Sequence, residues 1–168
     1  ANFQAFDRFH GILAETEEKA SSGQGDAAAS ALKLGMCYVA LADHAKAVAW
    51  LEKAPPSALR SMQLATACRE QGRYKEAIAE FDNAASQGWD KLESDCLRAE
   101  CHLLIDDLST AEGILKAHDG ASSAHWHYAH GRLLQARSEH PAAIAELEKA
   151  VAIDAGQRRE RCDIHAPR

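Results

Sequence analysis

Apolar residues along the chain recur three and four positions apart, the spacing of one face of an α-helix. The clearest feature is an alanine followed four positions later by a large apolar residue. It occurs at Ala47 and Leu51, Ala77 and Phe81, Ala111 and Leu115, and Ala143 and Leu147. Another small residue lies twelve positions before each of these alanines: Gly35, Ala65, Ala99 and Gly131. The pattern predicts four pairs of helices whose small residues allow close approach.

Polar segments and helix breakers separate these stretches. Turns within the pairs fall at residues 42–44, 71–73, 106–107 and 139–141, and breaks between the pairs contain Pro55-Pro56, Gly88, Gly120 and Gly156. We therefore predict helix pairs at about 27–54, 57–86, 90–118 and 121–153. The four alanines, which we call the anchor alanines, are 30, 34 and 32 residues apart. A period of this length is typical of a stacked array of helical repeats.

The residues before the array predict one more helix. Over residues 2–20, Phe6, Phe9 and Leu13 lie near one stripe and the charged residues lie mostly elsewhere, which is an amphipathic pattern. This helix either covers the first pair or docks onto another chain. We divide the chain into an N-terminal amphipathic helix, four helical repeats and a basic C-terminal tail with four arginines: residues 1–22, 23–156 and 157–168.

Composition narrows the classes of function. The chain has 168 residues, of which 46% are hydrophobic, and a formal net charge of −6. An acidic chain without a basic cluster is a poor nucleic-acid binder, and no apolar run reaches the length of a membrane span. The five cysteines form no CxxC pair, so we expect buried free thiols, a reducing compartment and a cytoplasmic location.

The repeat resembles a known family. Leu34, Gly35 and Tyr38 form an L-G-x-x-Y pattern that is followed by Ala47 and Leu51, and this is similar to the tetratricopeptide repeat. The resemblance covers about four units over residues 27–155. It departs from the family pattern at Arg98, His102 and Trp126. It implies an all-α fold, an α-solenoid of helix-turn-helix repeats in a right-handed superhelix.

In that family the first helix of each pair lines a concave groove that binds peptides or protein segments. The resemblance therefore implies a groove with an apolar end and a more polar end, suited to a segment with an apolar stretch beside a polar one. The residues we assign to it are Leu32, Met36, Leu59, Met62, Arg69, Glu93, Glu100, His125, Tyr128, Arg132 and Gln135. Alternatively, the N-terminal helix fills the apolar end itself, satisfying Leu32 and Met36 together with Phe6 or Phe9.

The sequence contains no strong motif for catalysis or metal binding. His127 and His130 could share one helix face, but no cysteine or carboxylate nearby in sequence completes a zinc site. Cys101 and His102 diverge because they are neighbours on a helix. Glu93 and Glu100 face one way and favour a solvated groove wall over a carboxylate pair. We predict no catalytic residue, no cofactor and no metal.

These observations predict a non-catalytic scaffold for protein–protein interaction, whose partner is a protein or peptide segment and neither nucleic acid nor membrane. Two alternatives remain open. The chain could be the recognition region of a larger enzyme, or it could be an element for self-association through the N-terminal helix. Fold class alone does not choose among them.

Overall fold

All regular elements in the described part of the chain are helices. The computed structural model describes residues 2–22 and 27–164, with side chains at residue 8 and over 10–22 and 27–156. The helices are α1 Asn2–Ser21, α2 Ala27–Ala40, α3 His44–Leu51, α4 Ala58–Glu70, α5 Tyr74–Ser86, α6 Lys91–Leu104, α7 Leu108–Lys116, α8 Ala124–Ala136 and α9 His140–Ile164. The prediction of an all-α fold of helix-turn-helix repeats is confirmed.

The chain divides into two compact units, residues 1–89 and 90–168. The first unit contains α1 and two helix pairs, α2/α3 and α4/α5. The second contains α6/α7 and α8/α9. We number these helix pairs one to four in chain order.

Helix bounds match the prediction to within three residues, except at the end of α9. That helix continues to Ile164, although we predicted its end near residue 153. Gly156 does not stop it, because one glycine in a helix costs only about 1 kcal/mol and the next residues are good helix formers. The side chains of the predicted basic tail, those of Phe6 and Phe9, and the linker at 23–26 lie outside the described residues.

The turns inside the four pairs share one backbone geometry. Each contains a residue with positive φ: Ala42 (57°), Gly72 (74°), Asp106 (63°) and Ser138 (63°). The next amide in each turn bonds back to a carbonyl in the first helix, from Asp43 to Tyr38 and from Arg73 to Cys68, for example, at 3.0 and 2.9 Å. This bond satisfies a carbonyl that the helix end would leave unpaired. The four turns therefore have the same backbone conformation, although the residue with positive φ differs between them.

Polar side chains cap the starts of several helices. Asp43, Ser57, Asp90 and Asp107 accept hydrogen bonds from the backbone amides three residues later, at 3.2, 3.2, 2.7 and 3.2 Å. Such caps are each worth roughly 1 kcal/mol. At the start of α7, hydrogen bonds from the side-chain hydroxyl and then the backbone amide of Thr110 lower the pKa of the Asp107 carboxyl.

The interior of each unit is built from the predicted small and large residues. The anchor alanines are at most 3% exposed, and Leu51, Phe81 and Leu115 are at most 2% exposed. Gly35 and Gly131 provide the sockets that receive Leu51 and Leu147. Leu147 is the exception among the large partners, since it is only half-buried.

The departures from the family pattern in the second unit have local explanations. His102 Nδ1 lies 3.2 Å from a carboxylate oxygen of Asp107, and the Arg98 guanidinium lies 3.1 Å from Asp95. Trp126 is buried and donates from Nε1 to the Leu115 carbonyl at 3.1 Å. Polar contacts therefore replace some of the apolar contacts that the repeat pattern predicts.

Candidate functional site

The predicted groove residues of the first unit lie on neighbouring first helices. Helices α2 and α4 pack against each other as well as against α3. Met36 is 37% exposed, and Leu32 and Leu59 are half-buried. Met62 is only 4% exposed, so its side chain belongs mainly to the interior of the unit. Arg69 is half-buried and donates to the Glu70 carboxylate at 3.0 Å.

The second unit contains the remaining predicted groove residues on α6 and α8, which also pack against each other. Glu93 and Glu100 are half-buried, and both take part in polar or electrostatic interactions. His125 and Gln135 are exposed. Arg132 Nη1 donates to the Tyr128 hydroxyl at 3.3 Å, which aligns these two side chains along one side of α8.

The N-terminal helix contacts the first pair through both apolar and polar side chains. Leu13 of α1 is 7% exposed, and the Glu17 carboxylate accepts a hydrogen bond from Trp50 Nε1 at 3.0 Å. Burial, followed by the hydrogen bond to Glu17, raises the pKa of Tyr38 to about 12. Helix α1 therefore covers pair one on the side of Tyr38 and Trp50, while Met36 keeps its partial exposure.

A cleft of about 590 Å³ remains between α1 and pair one. His10, Leu13 and Glu17 line it from α1. Tyr38, Leu41 and Lys46 line it from the first pair. Lys46 also lies above the Tyr38 ring, with Nζ 5.0 Å from the ring centre. Since one wall comes from α1 and the other from pair one, the cleft lies along the contact between them.

Sequence reasoning missed a surface on pair four. Ala124, His125 and Tyr128 of α8 line a depression of about 410 Å³ together with Leu147, Val151 and Asp154 of α9. Two predicted groove residues, His125 and Tyr128, thus border residues of the second helix. The position of Leu147 in the repeat could have indicated this surface. In the other pairs the large partner of the anchor alanine fills the gap to the next pair, and none of the described residues forms a pair after α9.

Two histidines of α8, His127 and His130, lie beside a carboxylate of α9. His127 Nδ1 lies 2.6 Å from the Glu146 carboxylate, and His130 Nδ1 lies 3.8 Å from it. Burial alone would raise the pKa of Glu146, but hydrogen bonds from Lys149 and His127 outweigh burial and lower it. Sequence proximity did not reveal Glu146, which is nineteen residues from His127. In the described part of the chain, no three His, Cys, Asp or Glu side chains are placed to hold a metal ion.

The described cysteines are free, and most are buried. Cys68, Cys96 and Cys101 are buried, and Cys37 is half-buried. Burial, with a smaller contribution from nearby carboxylates, raises the pKa of Cys96 to about 12. A thiol with such a pKa is a poor nucleophile at neutral pH. The prediction of free thiols is confirmed for these four residues, and the Cys162 side chain lies outside the described residues.

Comparison with known proteins identifies the class of fold. Residues 28–54, which contain pair one, match the family model described as tetratricopeptide repeat. Among solved structures, the crystal structure of MamA is similar, with a TM-score of 0.71 over 93% of this chain and 94% of that one. Sequence identity is 14%, so this likeness establishes the fold alone. No match was found among curated proteins.

The resemblance to the tetratricopeptide repeat is thus confirmed by the match at pair one and by the fold of the chain. A fold of this type supports an interaction scaffold in general. Across the described residues, no helix is both long enough and apolar enough to cross a bilayer.

Proposed function

We propose that the chain is a non-catalytic scaffold that binds a segment of a partner protein along the first helices of its pairs. The observation that carries this proposal is the pair of neighbouring helices α2 and α4. They leave Met36 37% exposed and Leu32 and Leu59 partly accessible. Partly accessible apolar side chains on a rigid helical surface are suitable anchors for a partner segment.

The first helices of the second unit have a different chemical character. Arg132, Tyr128 and Gln135 present polar groups on α8, and Glu93 and Glu100 contribute carboxylates on α6. Polar and charged groups set register and orientation more than affinity. The proposed partner segment has an apolar stretch that binds on α2 and α4, beside a polar stretch.

The environment of Cys96 supports a role without catalysis. Its thiol has a raised pKa, whereas an activated thiol nucleophile needs a lowered pKa. His102, His118 and His127 each lie within hydrogen-bond distance of a carboxylate oxygen. These side chains instead link elements within the second unit.

The test is selection from a displayed peptide library, followed by affinity measurement with purified variants. We expect enriched peptides with an apolar stretch, and Met36→Asp should weaken their binding at least about tenfold. Ile12→Asp is the matched control, because Ile12 is also an exposed apolar residue, at 54%, but lies on α1. Equal affinity of the two variants, or no enriched peptide, would contradict the groove proposal.

A further inference from the structure

One arginine of the second unit differs from the other arginines of the helix pairs. Within the described residues, Arg132 of α8 makes no ion pair, and its one polar contact there is the hydrogen bond to the Tyr128 hydroxyl. Every other arginine with a described side chain in the four pairs has a carboxylate partner. These ion pairs are Arg60 with Glu80, Arg69 with Glu70, Arg73 with Glu76, Arg98 with Asp95, and Arg137 with Glu112.

Arg132 and Tyr128 lie on the helix that the proposed function assigns to the polar part of the partner segment. Arg132 is half-buried, and Tyr128 is 40% exposed. Residues three and four apart are neighbours on one side of a helix. His125 and Gln135, three residues before Tyr128 and three after Arg132, are exposed on that same side. A segment that passes along this side of α8 therefore meets the guanidinium and the phenol together.

The hydrogen bond between these two side chains leaves mainly donors available to a ligand. A guanidinium has five N–H donors and no acceptor, and the Tyr128 hydroxyl takes one of them. Because the hydroxyl oxygen accepts this bond, its own O–H is available to donate to another group. The two side chains thus favour a ligand that accepts hydrogen bonds, and the positive charge of Arg132 favours an anion.

The charge of this site fits a carboxylate better than a phosphate. A phosphate group carries nearly two negative charges at neutral pH and is typically bound by a cluster of arginines. Arg137, the next arginine along the chain, already pairs with Glu112. A single guanidinium instead matches a carboxylate, which it can bind through two parallel hydrogen bonds. A C-terminal carboxylate is typically held by backbone N–H groups, and those inside a helix are already used.

The position of Arg132 changes character from pair to pair. It follows the small residue of the first helix, and the equivalent residues in pairs one to three are Met36, Thr66 and Glu100. Helix α6 packs against α8, but Glu100 makes no ion pair with Arg132 among the described residues and takes part in other interactions. Pair one therefore has an apolar residue at this position, whereas pair four has a cation without a carboxylate partner in the described part of the chain.

We propose that Arg132 and Tyr128 bind the side-chain carboxylate of an Asp or Glu residue in the polar stretch of the partner segment. Arg132 supplies the charge and paired N–H donors, and the Tyr128 hydroxyl supplies one further donor. This inference rests on the proposed function, because it names the chemistry of the partner in the same groove. The partner segment is thus acidic where it crosses α8 and apolar where it lies on α2 and α4.

The test uses the peptides enriched in the library selection, synthesised with both ends blocked so that only side chains carry carboxylates. We expect them to contain Asp or Glu, and Arg132→Gln in the purified full chain should weaken their binding at least about tenfold. Replacement of the acidic residue by its amide should weaken binding to the wild type equally. The amide peptide should bind the wild type and Arg132→Gln with the same affinity, because the contact is absent in both.

Three further variants define the kind of contact. Arg132→Lys keeps the charge but lacks the planar fork of the guanidinium, so it should recover only part of the affinity. Tyr128→Phe removes one hydroxyl and should weaken the acidic peptide about threefold. Arg8→Gln, a substitution of an exposed arginine on α1, is the matched control and should leave the affinity unchanged. Circular dichroism of each variant confirms that the helices remain.

The outcomes separate this inference from the groove proposal. If Met36→Asp weakens binding while Arg132→Gln does not, the carboxylate site is overturned and the groove proposal stands. Equal losses for the acidic and the amide peptide on Arg132→Gln would also overturn the site, because they would assign a structural role to Arg132. If Arg132→Gln weakens only the acidic peptide and Met36→Asp has no effect, the site is supported and the apolar anchor on α2 is wrong. If no peptide is enriched, both are wrong.

Discussion

Pairs one and four are built from the same pattern but have different surroundings. Gly35 faces Leu51 in pair one, and Gly131 faces Leu147 in pair four. Leu51 is fully buried and has α4 beside it, whereas Leu147 is half-buried and lines an open depression. The same residue types therefore serve as core in one pair and as accessible surface in the other, depending on whether a further helix covers them.

The two pairs also join their helices with different chemistry. Trp50, three positions after its anchor alanine, is 8% exposed, and Ala31, four positions before Gly35, is 1% exposed. The equivalent positions in pair four are Glu146 and His127, which lie 2.6 Å apart. These two positions are thus buried apolar residues in pair one, whereas in pair four they form a hydrogen bond to a carboxylate.

Truncation of the large partner should give the largest difference between the pairs. Leu51→Ala removes a fully buried side chain and should lower the free energy of unfolding by about 3 kcal/mol. Leu147→Ala removes a half-buried side chain and should cost less than about 1.5 kcal/mol. Urea unfolding followed by circular dichroism measures both. Equal losses would show that Leu147 is covered as completely as Leu51.

A methyl group added at each socket should give the next largest effect. At Gly35 a Cβ atom would lie 2.6 Å from Leu51 Cδ2, and at Gly131 it would lie 2.9 Å from Leu147 Cγ and 3.3 Å from the Ala143 carbonyl oxygen. Overpacking costs about 1–3 kcal/mol, partly offset by the helix propensity of alanine. We expect Gly35→Ala to lower stability by about 1–2 kcal/mol. Gly131→Ala should cost less than Gly35→Ala, because Leu147 can shift towards the depression, although the Ala143 carbonyl stays close to the added methyl group.

The left-handed turn residues offer a smaller test that uses the same geometry in both pairs. Ala42 and Ser138 adopt positive φ without being glycine, which is unfavourable for residues with a Cβ atom. Ala42→Gly and Ser138→Gly should each raise the free energy of unfolding by about 0.5–1 kcal/mol. Gly72→Ala should lower it by about 1 kcal/mol. Thermal unfolding of the three variants measures these effects. Destabilisation by the first two substitutions, or stabilisation by the third, would indicate a different turn geometry.

Acid should affect pair four through Glu146, and we expect this effect to be the smallest. The folded-state pKa of Glu146 lies below its ordinary value of 4.5. The carboxylate therefore stabilises the fold fully above that value and loses this contribution as the pH falls through the folded-state pKa. Glu146→Gln should be less stable than the wild type at about pH 6, with the difference shrinking towards about pH 3. A difference in unfolding midpoint that stays constant with pH would contradict this assignment.

The sequence was sufficient to predict the helices because the relevant physics is local. The spacing of Ala47 and Leu51, and of the equivalent residues, follows from helix geometry, and the breakers mark where the helices end. The end of α9 was predicted wrongly because Gly156 weakens a helix without forcing it to stop.

Prediction of the candidate site was poorer, because exposure depends on which helix covers a given face. The family resemblance placed Met62 among the groove residues, yet it is only 4% exposed. The spacing along α9 does not indicate an accessible surface at Ile144, which is 57% exposed. The contact between His127 and Glu146 joins two helices, so spacing along one helix could not indicate it.

Pairs one and four differ most in whether a further helix covers the large partner of the anchor alanine, since Leu51 is fully buried and Leu147 is half-buried. Hydrogen exchange of the backbone amides tests this difference most directly. We expect the amides of α3 to be more strongly protected than those of α9 around Leu147. Equal protection of the two helices would contradict the difference in coverage.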